Sequence, residues 1–345
     1  MILILGSPED GCVRETGFYL RQRGREMLVV PEAQLPSSLQ IRWELPASTE
    51  TGYLVFKLPL ARLRQQRPSR REQPRFEMPG AVPGGLAPAA ASRGPGGGPT
   101  VSVPLTELTG VLVRLRQTFE AIPADVSDRG YMRAEWSALL YGFLRSLPCP
   151  VVNRPRPGAG QWLPETRAVA EALRQTGFLL APTLATASAG AAREFFEHHG
   201  RRVLCASPGF GRALLLEGDA AGGMLSAGVT RSFRLQAAPV GRWLRVLVVG
   251  RAAFGAEARR ESLLEGDGEL WRGVVLAPAV ARRCARLASA LGLSFAGLLL
   301  VCAKAGDFVL AVDEFPNPTQ CEAGLRDRIT AALVVVLTGA SSLKL

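Results

Sequence analysis

The stretch FVLAVDEFPNP, residues 308–318, ends a run of strand-forming apolar residues in two carboxylates. Asp313 and Glu314 follow the strand, and the chain then turns through Pro316, Asn317 and Pro318. Carboxylates and a carboxamide at the end of a buried strand are hard oxygen donors, the kind that hold Mg²⁺ beside a nucleotide. The same residues also suit a plain turn, where Asx side chains bond the backbone beside prolines. Cations that could meet phosphate are almost all arginine, since Lys57, Lys304 and Lys344 are the only lysines. Arginine is always charged and binds phosphate in a bidentate fashion.

Other reactive patterns are sparse. The six cysteines are scattered, with no pair at the spacing of a zinc knuckle or a redox motif. His198 and His199 are the only histidines and precede Gly200, where a helix C-terminus would use them against its dipole. Cys205 has no histidine placed to activate it, which argues against a thiol nucleophile.

The elements that must position these residues alternate. MILILGSPEDGCVRETGFYLRQRGREMLVVPEA reads strand, turn, helix, strand, the start of a parallel doubly wound sheet. Strands are expected near LQIRWEL and GYLVFKL, and again at LTGVLVRL. A helix from Ser127 to Leu147 carries Tyr131, Trp136, Leu139, Leu140 and Phe143 at helical spacing, which predicts core packing for all five. PETRAVAEALRQTGF is a helix with Gly177 as its cap. RRVLCASPGFGRALLLEG is a hairpin, and further antiparallel strands run from SFRLQ to FGAEARR. APAVARRCARLASALGL is an amphipathic helix, and SFAGLLLVCAKAGDFVLAVDEF is a strand pair. A helix over residues 322–337 closes the series.

The bulk numbers fit a globular protein of two or three units: 345 residues, 47% apolar and 21% charged. No segment has the length of a membrane span or the pattern of a signal peptide, so a cytoplasmic location without membrane partners is expected. The net charge of +11 suggests nucleic acid. Yet residues 61–100 hold seven arginines against two glutamates, nearly half of that excess, within an Arg/Pro/Gly/Ala-rich stretch with one aromatic, Phe76. That is solvated linker charge and predicts a disordered insertion rather than a nucleic-acid surface.

The order VVNRP, GFLLAPTLAT, hairpin, LQAAPVGRWLRVLVVG, LGLSFAGLLL and VLAVDEFPNP resembles the ATP-grasp superfamily, in particular its carboxylate–amine ligase branch. The resemblance runs from about Leu108 to the C-terminus, with the opening βαβ unit in the place of the pre-grasp domain. It implies an α/β plus α+β architecture in four parts. These are an N-terminal pre-grasp-like domain (1–60 with 101–155), the insertion (61–100), a central lobe (156–235) and a C-terminal lobe (236–345) enclosing a cleft with it.

It also implies ATP and Mg²⁺ as cofactors of an active member, which turns a carboxylate into an acyl phosphate for attack by an amine. By the same resemblance, two lysines should hold the polyphosphate, and those positions fall at Leu163 and Cys205. The adenine hinge reads Gln236-Ala237. The metal carboxylates fall at Leu299 and Ala311, and the asparagine at Asp313. Arg245, facing phosphate or substrate in relatives, survives, as do Asp313 and Asn317 as metal ligands. Trp162 and Trp243 adjoin vacated positions and could fill the cleft.

Joint loss of lysines and carboxylates favours a catalytically silent homologue. Such a protein would keep the fold to bind a small-molecule or peptide ligand, or a catalytic homologue. The alternative is an active ATP- and Mg²⁺-dependent carboxylate–amine ligase with a remodelled site, in which Arg212, Arg245, Asp313 and Asn317 serve phosphate and metal. In either case Arg245 and Asp313 should point into one cleft.

Overall fold

The computed structural model describes residues 1–35, 39–42, 53–57, 100–115, 128–155, 166–206, 213–218, 225, 233–257 and 270–339. The insertion over 61–99, Trp162, Leu163 and Arg212 lie outside the described residues. The chain divides into two compact units, residues 1–157 with 330–345 and residues 158–329.

In the first unit, β1 (Ile2–Gly6), α1 (Gly11–Gln22) and β2 (Met27–Val30) form the expected βαβ start. Asp10 caps α1, its Oδ1 accepting from the Cys12 and Val13 N–H groups at 2.8 and 3.2 Å. A short antiparallel sheet follows: β3 (Leu39–Arg42), β4 (Tyr53–Lys57) and β5 (Thr100–Pro104). Strand β5, TVSVP, was not anticipated. β6 (Gly110–Arg114) pairs in parallel with β1 and is followed by α2 (Arg129–Ser146) and β7 (Val151–Val152), giving the order β2-β1-β6-β7.

Leu3, Leu5, Val111 and Val113 on these strands pack against Leu140, Phe143 and Leu144 of α2. The expectation that all five apolar residues of α2 are core is corrected here. Leu140 and Phe143 are buried and Trp136 is partly so, but Tyr131 and Leu139 are exposed. Only the C-terminal half of α2 reaches the core, so the stripe runs on past its packing partners.

The second unit begins with α3 (Arg167–Gln175), capped at Gly177 in the left-handed region (φ 75°). Next come β8 (Thr183–Thr186), α4 (Ala189–His198), β9 (Arg202–Ala206), β10 (Ala213–Glu217) and β11 (Phe233–Ala237). They make an antiparallel sheet in the order β10-β9-β11-β8. A second antiparallel sheet, β14-β13-β12-β15-β16, is built from β12 (Gly241–Val249), β13 (Ala252–Glu257), β14 (Arg272–Val274), β15 (Phe295–Ala303) and β16 (Gly306–Asp313). Helix α5 (Pro278–Ala290) lies between β14 and β15 in sequence, and α6 (Ala323–Thr338) is the last helix.

Side chains alternate across a strand, and that alternation sorts the second unit into three apolar clusters. On one face of the larger sheet, Leu244, Val246 and Val248 of β12 pack with Leu298 and Leu300 of β15, Cys284 and Leu287 of α5, and Val169 and Leu173 of α3. On one face of the smaller sheet, Val203 and Cys205 of β9 and Leu235 of β11 pack with Ala192 and Phe196 of α4. The third cluster draws on the remaining faces of both sheets. It joins Leu204 of β9 to Trp243 of β12, Leu299 and Val301 of β15, and Leu310 of β16, with Ala181 and Ala238.

Candidate functional site

Of the sequence-derived site residues, Gln236, Arg245 and Asp313 lie on the strands of the two sheets of the second unit. Arg245 of β12 lies opposite Leu299 of β15, and Asp313 of β16 opposite Gly297 of β15. The two meet, Arg245 donating from NH2 to Asp313 Oδ2 at 2.8 Å. Gly297 makes room for this. A Cβ there would stand 3.2 Å from Arg245 NH2, 3.3 Å from Asp313 Cβ and 3.1 Å from Pro316. Burial lowers the basicity of the Arg245 guanidinium, while the Asp313 carboxylate works to keep it charged. Its planar group also lies 5.3 Å from the Trp271 ring centre. Beside it the Cys321 thiol is pushed up to about 12 by burial, which leaves it inert.

The residues expected from the sequence to hold a metal are engaged within the protein itself. Asp313 Oδ1 accepts from the Phe315 N–H at 2.9 Å, while Oδ2 serves Arg245. Asn317 Oδ1 accepts from the N–H and hydroxyl of Thr319, at 3.1 and 2.9 Å, and so caps the one-turn helix Pro318–Gln320. Leu299 is buried in the apolar cluster, and Ala311 packs against it. No group of three or more acidic, histidine or cysteine side chains arranged for a metal occurs among the described residues. A cation of the Mg²⁺ type takes six or more oxygens in near-octahedral order, and this donor set does not fit it.

The described residues on the side expected to meet phosphate are apolar as well. Cys205, taken from the sequence as the place of the hairpin-strand lysine, faces α4 in the cluster on the far side of its sheet. Burial raises its thiol pKa. The neighbour that faces the other sheet is Leu204. A β-bulge between Leu299 and Leu300 pairs Leu299 with Ala311 and Leu300 with Val309, so β16 carries one extra residue there, Leu310. Leu310, 2% exposed, joins Leu204, Trp243 and Leu299. Trp243 packs within this cluster.

The strand end expected to form an adenine hinge offers little to a purine. Ala237 N–H donates to the Pro182 carbonyl at 2.9 Å and Ala238 N–H to the Arg202 carbonyl at 3.1 Å, and Pro239 has no N–H. Gln236 lies across from Leu204 and Thr183, hence on the same face as the apolar cluster, and is 1% exposed. Its carboxamide nitrogen, Trp243 Nε1 and Arg245 Nε are buried without a hydrogen-bond partner among the described residues. Sequence reasoning singled out these three residues but gave no sign of their unmet polar atoms.

An unanticipated residue ties this unit together. Arg283 of α5 donates to the Thr176 carbonyl at 3.0 Å, to the Gly177 carbonyl and to Asp307 Oδ2 at 2.7 Å, and lies over the Phe178 ring. Nothing in ARRCAR distinguishes it from Arg282 or Arg286.

No protein-family model matches the chain, and no curated protein sequence does. Solved structures match over nearly its whole length. The ATP-grasp ligase PsnB, complexed with precursor peptide PsnA2 and AMPPNP, aligns with a TM-score of 0.62 at 18% identity, covering 97% of each chain. A RiPP-associated ATP-grasp ligase of Chryseobacterium gregarium, in complex with ADP and a leader and core peptide, aligns at 0.64 and 13%, covering 99% of this chain and 97% of the other. The macrocyclase MdnC of Microcystis aeruginosa MRC, bound with precursor peptide MdnA, aligns at 0.63 and 13%, covering 99% and 100%. The chain therefore has the ATP-grasp fold, with the mixed α/β and antiparallel layers that its sequence led one to expect. Among the described residues no helix is long and apolar enough to cross a membrane.

Proposed function

We propose that this protein is a catalytically silent member of the ATP-grasp fold, retained for binding rather than for ligation. The observation that carries the reading is the apolar cluster of Leu204, Trp243, Leu299, Val301 and Leu310 on the face where phosphate and metal would have to lie. A polyphosphate with its Mg²⁺ carries several charges, and a buried apolar lining without lysines or free carboxylates among the described residues cannot compensate their desolvation. Arg245 and Asp313 cancel each other, and Asn317 is spent on a helix cap.

The solved neighbours are held with precursor or leader peptides. This supports a peptide as one ligand class the retained fold could serve, with a catalytic homologue as the alternative partner.

Thermal unfolding with and without millimolar Mg²⁺–ATP tests the reading, because a ligand that binds only the folded state must raise the melting temperature. No shift is expected, and no ADP release with carboxylate and amine mixtures. A shift that Arg245→Ala or Asp313→Ala abolishes would overturn the proposal in favour of an active ligase with ATP and Mg²⁺ as cofactors.

A further inference from the structure

Helix α1 turns Cys12, Val13, Thr16 and Leu20 inward. Its outer face carries Arg14, Phe18 and Arg21 at the i, i+4, i+7 spacing of one stripe, and Arg25 follows just beyond the left-handed cap Gly24. All four are exposed, Phe18 by 48%. Cations near a helix C-terminus favour its dipole, which accounts for Arg21 and Arg25. Arg14 is not explained in that way. It lies in the first turn, where a cation opposes the dipole and no acidic residue stands. The side chains of Arg14 and Arg25 make no hydrogen bond or ion pair among the described residues. Arg23, by contrast, is engaged within the helix, donating to the Tyr19 hydroxyl at 2.6 Å and lying 4.4 Å from its ring centre.

We infer that the outer face of α1 docks an acidic polypeptide segment whose carboxylates flank an apolar side chain. Arg14 and Arg25 meet the carboxylates in bidentate fashion, and Phe18 between them covers the apolar group. A nucleic acid suits the face less well, because stacking platforms use successive rings and Phe18 is the one uncovered ring on α1. A membrane surface is disfavoured too, since a single exposed apolar side chain makes no face to insert. This docking face belongs to the first unit and stands whether or not the second unit takes nucleotide.

The test uses the full chain and a short fluorescein-labelled peptide of Glu-Glu-Leu repeats, followed by anisotropy at low salt. Saturable binding is expected, with Glu-Glu-Ser and Gln-Gln-Leu repeats each about tenfold weaker. Arg14→Gln combined with Arg25→Gln should weaken the Glu-Glu-Leu peptide about tenfold, and Phe18→Ser by about as much. A net charge of +11 attracts any polyanion, so a matched control is needed. Arg282→Gln combined with Arg286→Gln removes the same charge from exposed positions on α5 and should change affinity less than about twofold. The melting temperature of Arg14→Gln should be unchanged or higher, since a cation leaves the first turn of the helix.

No saturable binding, an equal loss in the α5 control, or equal binding of the Glu-Glu-Ser repeats would overturn the inference. So would a lower melting temperature in Arg14→Gln, which would make that residue structural. A thymidine oligonucleotide that binds more tightly than the peptide, and is weakened by the same α1 variants, would overturn it in favour of nucleic acid.

Discussion

Arg245 and Asp313 close over Gly297, an ion pair of 2.8 Å that bridges from β12 to β16 above the strand between them. Their side chains are 15% and 34% exposed, so the pair is partly shielded and its loss should be measurable. Removing one partner strands the other's charge, which costs more than removing both. Urea unfolding should therefore show Asp313→Ala or Arg245→Ala losing about 1–2 kcal/mol each, with the double variant no worse than the worse single one. Strictly additive losses would show that the two residues do not act as a pair.

The apolar face makes an opposite forecast to an open nucleotide site. Leu204→Lys and Leu299→Asp place charges of the kind a phosphate and metal site would use, but within a cluster that is nearly dry. Each should cost about 3 kcal/mol or more, seen as a clear fall in the urea midpoint, because an unpaired buried charge has no compensation. Near-neutral behaviour of both would mean that water already reaches this face, and the silent reading would lose its main support.

Much of this was legible in the sequence, and the failures have physical causes. Strands β1, β6, β12 and β15 announce themselves as apolar runs, and Gly177 marks the end of α3 without ambiguity. TVSVP passed unnoticed because it is short and abuts a Pro- and Gly-rich stretch that dilutes any pattern. The resemblance set Cys205 at the hairpin-strand lysine position, yet Cys205 faces α4 and Leu204 faces the other sheet, and on a strand one residue is a change of face. That Arg245 and Asp313 share a sheet face followed from the resemblance. Their neutralising each other depends on Gly297 being small, and residue type alone does not state that consequence. The bulge that adds Leu310 to the cluster is set by the pairing of two strands, which no local pattern encodes.

Cys284 offers a test of how dry the core behind this face is. It lies in the cluster between α5 and the larger sheet, where burial pushes its thiol up from 9.0 to about 12. Above pH 9 the unfolded chain releases this proton while the folded chain keeps it. The folded state then binds more protons, so stability falls as pH rises between about 9 and about 12, by up to about 1.4 kcal/mol per pH unit for this one group. Cys284→Ala removes the titration but also leaves a small cavity, a loss of packing that does not change with pH. The informative quantity is therefore the slope of unfolding free energy against pH, not its absolute value. Below pH 8 the wild type should be the more stable by a constant margin, and that margin should shrink steadily above pH 9. Curves that stay parallel to pH 11 would show that the thiol ionises as readily in the folded protein as in the unfolded chain, and that water reaches the packing between α5 and its sheet.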